Sequence, residues 1–216
     1  MFTYYRIEVI ILSRGFSAEE KEQIRKNLIN EGRELFIRYG LKKTGIRELA
    51  DKAGIAQGSF YKFFSSKEEL FFEILEKEGE KIKERLFSSS FIEGEIDKEE
   101  LRNFLYKSFE IMDNNPLLKK VYTEEEYQLL LKRVPDQKMN DHFIKDENVF
   151  LPIIKKAQKK GKMINKKPQI IMSLLRSIFL LTLHKKEIDP EYYEETMYFL
   201  IDLIVEGLIK GGENYD

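Results

Sequence analysis

The chain has 216 residues, 42% hydrophobic and 35% charged, with a net charge of −1; this suffices for a real core in one or two domains and excludes a chain that is basic throughout. Cysteine is absent, which excludes disulfides, thiol catalysis and Cys-ligated zinc. Charge is unevenly spread, +5 through Lys67 and −6 beyond it, the balance expected when only a head meets phosphate.

Residues 1–15, MFTYYRIEVIILSRG, fall outside any helical pattern. Their apolar run, Val9 to Leu12, is far short of the ~20 residues that span a bilayer. They read as a disordered arm, or as the product of an upstream start with translation beginning near Leu12. The first helix is predicted from Ala18 to Tyr39. Ser17 is its N-cap, Glu19, Glu20 and Glu22 sit near the positive end of its dipole, and Gly40 stops it. Ile46, Leu49, Ala50 and Ala53 then share one face of a second helix. Gly54 follows, where a helix end needs positive φ, and Ile55 points back into the angle. A short helix from about Ala56 to Phe63 buries Phe60 and Phe64. Ser66 with Glu69 forms a capping box for the next helix. Two short helices joined by a tight Gly turn make a helix-turn-helix, whose second helix fits the DNA major groove.

The residues on that second helix suit DNA. Gln57 can pair bidentately with adenine, and Lys62 can donate to guanine or phosphate. Gly58 and Ser59 are small enough for close approach, and Tyr61 can reach a backbone oxygen. Arg47 and Lys67 begin the neighbouring helices and are both placed to flank the groove, with the Lys67 ammonium expected at phosphate.

A long helix is predicted from Lys67 to about Phe87, running from head to body. Ser88 to Gly94 is a break. Asp97 caps a helix to about Asp113, ended by Asn114-Asn115-Pro116. Further helices are expected at Pro116–Val134, Asp141–Lys160, Pro168–His184 and Pro190–Lys210. Glu124-Glu125-Glu126 reads as a solvated turn of helix. The last two helices are apolar around more of their circumference than one core requires, which calls for a partner. Leu174, Leu175, Ile178, Ile201, Ile204 and Leu208 are the expected dimer contacts. Phe104, Phe109, Met112, Tyr127, Phe150, Met172 and Phe179 read as core packing, as the lining of an apolar effector cavity, or as both. Arg176, inside the most apolar helix, needs acceptors: a pair across the dimer or an anionic ligand. His142 and His184 are far apart, and no H-E-x-x-H, P-loop or GxGxxG is present. No catalytic residue, metal ligand or cofactor is therefore assigned, and no enzyme is expected.

The run from about Phe16 to Leu75 resembles the N-terminal DNA-binding domain of the TetR family of transcriptional regulators. The resemblance rests on RELFIRYG, Thr44, IRELADKAGIAQGSFYKFF and SKEEL. Position by position, it implies DNA contacts at Thr44, Ile46, Arg47, Gln57, Gly58, Ser59, Tyr61, Lys62, Phe63 and Lys67. The chain departs from the family at Gly45 (usually Ser or Thr), Ala56 (commonly a capping Ser, a loss of about 1 kcal/mol) and Phe63 (often His). The resemblance implies an all-α fold: residues 16–66 as a three-helix helix-turn-helix domain, and residues 67–216 as a helical effector-binding and dimerisation domain. It further implies a cytoplasmic homodimeric repressor that leaves a palindromic operator when a small apolar or aromatic effector binds. A DNA-binding regulator without an effector is the alternative.

Overall fold

The computed structural model describes residues 15–121, 124–185 and 187–209. Residues 1–14, where the arm or upstream start was expected, and Lys210, the expected end of the last helix, lie outside the described residues. The described elements are helices: α1 (Ala18–Lys43), α2 (Ile46–Lys52), α3 (Gln57–Phe60), α4 (Lys67–Leu86), α5 (Ser89–Glu93), α6 (Lys98–Asn114), α7 (Pro116–Val121), α8 (Glu124–Arg133), α9 (Asp136–Lys159), α10 (Pro168–Leu183) and α11 (Tyr193–Leu208). The one β-type pairing among the described residues is an isolated bridge between Met163 and Ile209.

Local chemistry fixes most helix ends. The Glu20 N–H donates to Ser17 Oγ (3.1 Å) and the Ser17 N–H to the Glu20 carboxylate (2.7 Å), a complete capping box. Gly40, at φ +78°, breaks α1 where expected, but one further turn follows through Lys43 before the chain leaves the helix. At the end of α2 the Ile55 N–H reaches the Ala50 carbonyl (3.0 Å) and the Gly54 N–H the Asp51 carbonyl (3.2 Å). With Gly54 at φ +75°, this is a Schellman closure, which a left-handed residue makes possible. Ser66 Oγ accepts from the Glu69 N–H (3.1 Å), while the Glu69 carboxylate turns to Ser65 rather than Ser66, so the second box is only half formed.

Five boundaries differ from expectation: the short helix predicted to about Phe63 ends at Phe60, and a turn follows in which the Phe63 N–H reaches the Phe60 carbonyl (2.9 Å). The break at Ser88–Gly94 contains one helical turn, α5, because Ser88 caps it and Gly94 closes it. The stretch expected as one helix from Pro116 is described as α7 and α8, with residues 122–123 outside the described set. Helix α9 begins at Asp136, directly after Pro135, since a proline at a helix boundary needs no donor. Helix α11 begins three residues late, because Asp189 to Tyr192 form a turn closed by the Tyr192 N–H on the Asp189 carbonyl (3.1 Å).

Two apolar cores result. The head core gathers Leu28, Phe36, Leu49, Phe60, Phe64, Leu70, Phe71 and Ile74 together with Leu117, Leu130 and Val134 from the body helices. The first half of α4 therefore belongs to the head, and α7 and α8 pack onto α1. The body core joins α5, α6, α9, α10 and α11 through residues such as Phe91, Leu105, Phe109, Ile154, Met197 and Ile201. Helix α4 is pinned by charge on both sides: Arg25–Glu73 and Arg33–Glu78 tie it to α1, and Glu69–Lys138, Glu76–Lys145 and Lys83–Asp146 tie it to α9.

Candidate nucleic-acid interface

The exposed surface of the helix-turn-helix carries most of the expected groups. Gln57 and Gly58 open α3 and are exposed, as is Lys62; Ser59 is half-buried. Tyr61 is 57% exposed, and its ring stands edge-on to the buried Phe60 (5.7 Å). Lys62 holds its ammonium 5.4 Å from the centre of the Phe16 ring. Arg47 is exposed on α2, 3.8 Å from Asp51 one turn on. Ala56 is the N-cap of α3 and makes no side-chain cap bond, so the first amides of this short helix stay open. Ile46 and Phe63 are only half-exposed: both pack against the head core, and Phe63 meets Phe16 at 6.0 Å.

Two residues expected to contact DNA, Thr44 and Lys67, are engaged by the protein's own carbonyls. Thr44 is 1% exposed, and its hydroxyl donates to the Gly40 carbonyl (2.7 Å). The Lys67 ammonium donates to the carbonyls of Leu41 (2.7 Å), Lys42 (3.1 Å) and Thr44 (2.8 Å). An ammonium has three donors, and all three are used. Both side chains thus build the corner between α1 and α2 rather than face the groove.

The amides of that corner are met from the body. Glu126, on α8, accepts from the Leu41 N–H at 2.8 Å and the Lys42 N–H at 3.2 Å. These groups are freed by the positive φ of Gly40, a conformation strained for any other residue, and a Cβ there would sit 2.7 Å from Glu126 Oε1 and displace that carboxylate. The acidic run read as solvated therefore includes a half-buried clamp; Glu125 keeps to the surface, 3.3 Å from the exposed Lys42 ammonium. Close by, burial would raise the Glu69 carboxyl, but Lys138 together with the Ser65 hydroxyl and N–H outweighs it and holds the group at about 2. No group of three or more His, Asp or Glu side chains that could hold a metal occurs among the described residues.

In the body, the expected dimer contacts divide between buried and open positions. Ile178, Ile201, Ile204 and Leu208 are buried in the chain's own core. The apolar side chains left in the open are Phe199 (65%) and Leu203 (55%) on α11, with Ile170, Leu174 and Leu180 on α10; Leu175 is half-buried. The expected effector residues divide. Phe104 and Phe150 join Phe87 and Phe91 in a four-ring group, with Phe91 and Phe104 stacked at 4.3 Å. Phe109 packs instead on Tyr193 (5.9 Å) and Tyr198 (5.4 Å). Met112 and Met172 are buried, and Arg176 is half-buried. The side chains of Tyr127 and Phe179 lie outside the described residues. A residue missed in the sequence is Tyr193: its hydroxyl is buried with no hydrogen-bond partner among the described residues, and burial first, then Asp113, push it up to about 12.

An all-α body bearing an exposed helix-turn-helix defines a DNA-binding regulator fold. Residues 28–74 match the family model of the bacterial regulatory proteins, tetR family. The match is confined to this N-terminal segment, which is similar to the DNA-binding domain of TetR-family transcriptional regulators. It is 45% identical to the HTH-type transcriptional repressor KstR2 of Rhodococcus jostii and 43% identical to that of Mycolicibacterium smegmatis. Each match runs over 51 residues, 24% of this chain, and spans only a quarter of the curated relative. Among solved structures, a TetR-family transcriptional regulator from Pectobacterium atrosepticum superposes with a TM-score of 0.72 at 20% identity, over 92% of this chain and 100% of that one. SmeT, the repressor of the Stenotrophomonas maltophilia multidrug efflux pump SmeDEF, gives 0.62 at 19% identity, over 87% and 91%.

Proposed function

We propose that the chain is a homodimeric transcriptional repressor of the bacterial cytoplasm. It binds a palindromic operator through two α3 helices and leaves it when a small apolar or aromatic molecule enters the body. Residues 16–66 serve as the DNA-binding unit and residues 67–216 as the effector-binding and dimerisation unit, with α4 shared between them. The observation that carries this reading is the set of open polar groups on α3, with Gln57, Gly58, Tyr61 and Lys62 all exposed around an uncapped helix start. Phe199 and Leu203, one turn apart on α11, support the dimer, since a contiguous exposed apolar ridge marks an interface. Two-fold symmetry then places the heads for half-sites about 34–36 Å apart.

The orphaned Tyr193 hydroxyl supports an effector with a hydrogen-bond acceptor. A buried hydroxyl without a partner costs about 1–3 kcal/mol, which a bound carbonyl or ether oxygen would recover. SmeT has been solved in complex with triclosan, a precedent for an aromatic occupant in this fold. A reading without effector is favoured by one observation: Phe87, Phe91, Phe104 and Phe150 fill the space between α4, α5, α6 and α9 with one another. Selection of duplexes from a random library, footprinting, and sedimentation of the bound species test the DNA and dimer claims. A small-molecule screen reading both melting temperature and duplex release tests the effector. Stabilisation by no compound would favour the effector-free regulator.

A further inference from the structure

Beside the helix-turn-helix lies an open cleft of about 590 Å³, lined by Gly45 and Ile46 at the start of α2, Gln57 at the start of α3, Ser65 and Glu68 near the start of α4, and Arg133. Arg133 is the outlier, because it ends α8 and belongs to the body. Its position is fixed by its neighbours. Leu130 and Val134, one turn apart, are each 3% exposed and sit in the head core. The residue just before Val134 is thereby held against the head while its own side chain stays exposed. Among the described residues Arg133 forms no ion pair. The other cation of the cleft, Lys67, has all three donors on carbonyls. Glu68 is the carboxylate lining the cleft, and it repels an anion there, so any phosphate in the cleft depends on the guanidinium.

We propose that Arg133 is a DNA-backbone contact supplied by the body, an inference that rests on the DNA-binding reading above. A guanidinium presents a planar fork suited to two phosphate oxygens. Gln57 reads a base edge while Arg133 grips the flanking phosphate, so the body shares directly in the duplex contact. Such a contact reads no sequence.

The test uses the full chain and two duplexes: the one the wild-type protein selects from a random library, and a scrambled duplex of equal length. Binding is followed by fluorescence anisotropy at several NaCl concentrations for the wild type, Arg133→Gln, Arg133→Lys and Lys132→Gln. Lys132 is an exposed neighbour outside the cleft. One lost phosphate contact lowers the salt slope by about 0.9 and the affinity about fivefold near 0.15 M salt. Arg133→Gln should show both changes on both duplexes, Arg133→Lys should retain the slope, and Lys132→Gln should match the wild type. An unchanged slope in Arg133→Gln, with an unchanged melting curve, overturns the proposal. So does an equal loss in Lys132→Gln, which would assign the effect to overall charge. A wild-type protein that binds neither duplex refutes the DNA-binding reading itself, before any variant is made.

Discussion

Replacing Glu126 by glutamine keeps the side chain's shape and removes one of its two acceptors. The carboxylate serves the Leu41 N–H at 2.8 Å and the Lys42 N–H at 3.2 Å. An amide can keep the shorter bond with its oxygen, but its NH₂ group then faces the Lys42 N–H, donor against donor. Hydrogen bonds to a charged group contribute about 1.5–3 kcal/mol each. The Lys42 side is open to water, so its loss is discounted to about 1 kcal/mol, and the bond to Leu41 gives up its charge assistance, about 1 kcal/mol more. A total of about 2 kcal/mol lowers the melting temperature of a domain this size by roughly 4–8 °C. Thermal and urea melts measure the total, and amide exchange at Leu41 and Lys42 localises it. Glu125→Gln is the control: it breaks only an exposed pair, worth about 0.5 kcal/mol or less. If Glu126→Gln melts like the wild type and both amides exchange at the native rate, the clamp contributes nothing and the reasoning fails.

Three further outcomes are expected. Gln57→Ala should cost about 1–3 kcal/mol on the selected operator and relax discrimination at one base pair; titrations against single-base operator variants check it, and a uniform loss across them would contradict a base contact. Phe199→Glu combined with Leu203→Glu should give folded monomers by sedimentation, whereas Ile201→Glu, placed in the core, should unfold the chain; a dimeric double variant would remove α11 from the interface. The Glu69 carboxyl is held at about 2 against an ordinary value of 4.5, so its pairing stabilises the fold fully above pH 4.5, and this contribution shrinks as pH falls toward 2. Acid melts of Lys138→Met should accordingly lose stability less steeply below pH 4.5 than the wild type, and parallel curves would contradict the pairing.

What was legible in the sequence is what short-range chemistry decides. Ser17 with Glu20, Gly54 after Ala53 and Ser66 with Glu69 lie within a few residues of what they cap, so spacing alone identified them. The polar start of α3 was legible for the same reason. The corner between α1 and α2 was not, because its partners come from afar: Glu126 is 85 residues from Leu41, and Lys67 is 26. A glutamate in an acidic run and a lysine at a helix start each have a bland local explanation, and only the packing of α8 and α4 on α1 reveals their tasks. The place of Arg133 beside the head was hidden for the same cause. The faces of the last two helices were hidden for a different cause. Helices α10 and α11 are apolar on both sides, so periodicity cannot say which side a single chain keeps for itself. Ile201 and Ile204 went to the core, and Phe199 and Leu203 were left outside.

The three carbonyls around the Lys67 ammonium also make that amine a timer. An acylating reagent reaches exposed lysines such as Lys43 and Lys52 on every collision, but it attacks Lys67 only after the ammonium has left its carbonyls. The labelling rate at this one residue therefore counts departures of the ammonium from the carbonyls at the corner between α1 and α2, in the way amide exchange counts local opening. The reaction is also one-way in its effect. An acylated lysine keeps a single N–H for three carbonyl oxygens, so a corner caught open cannot close again as it was, and each molecule would retain a permanent mark of the moment its Lys67 first came loose.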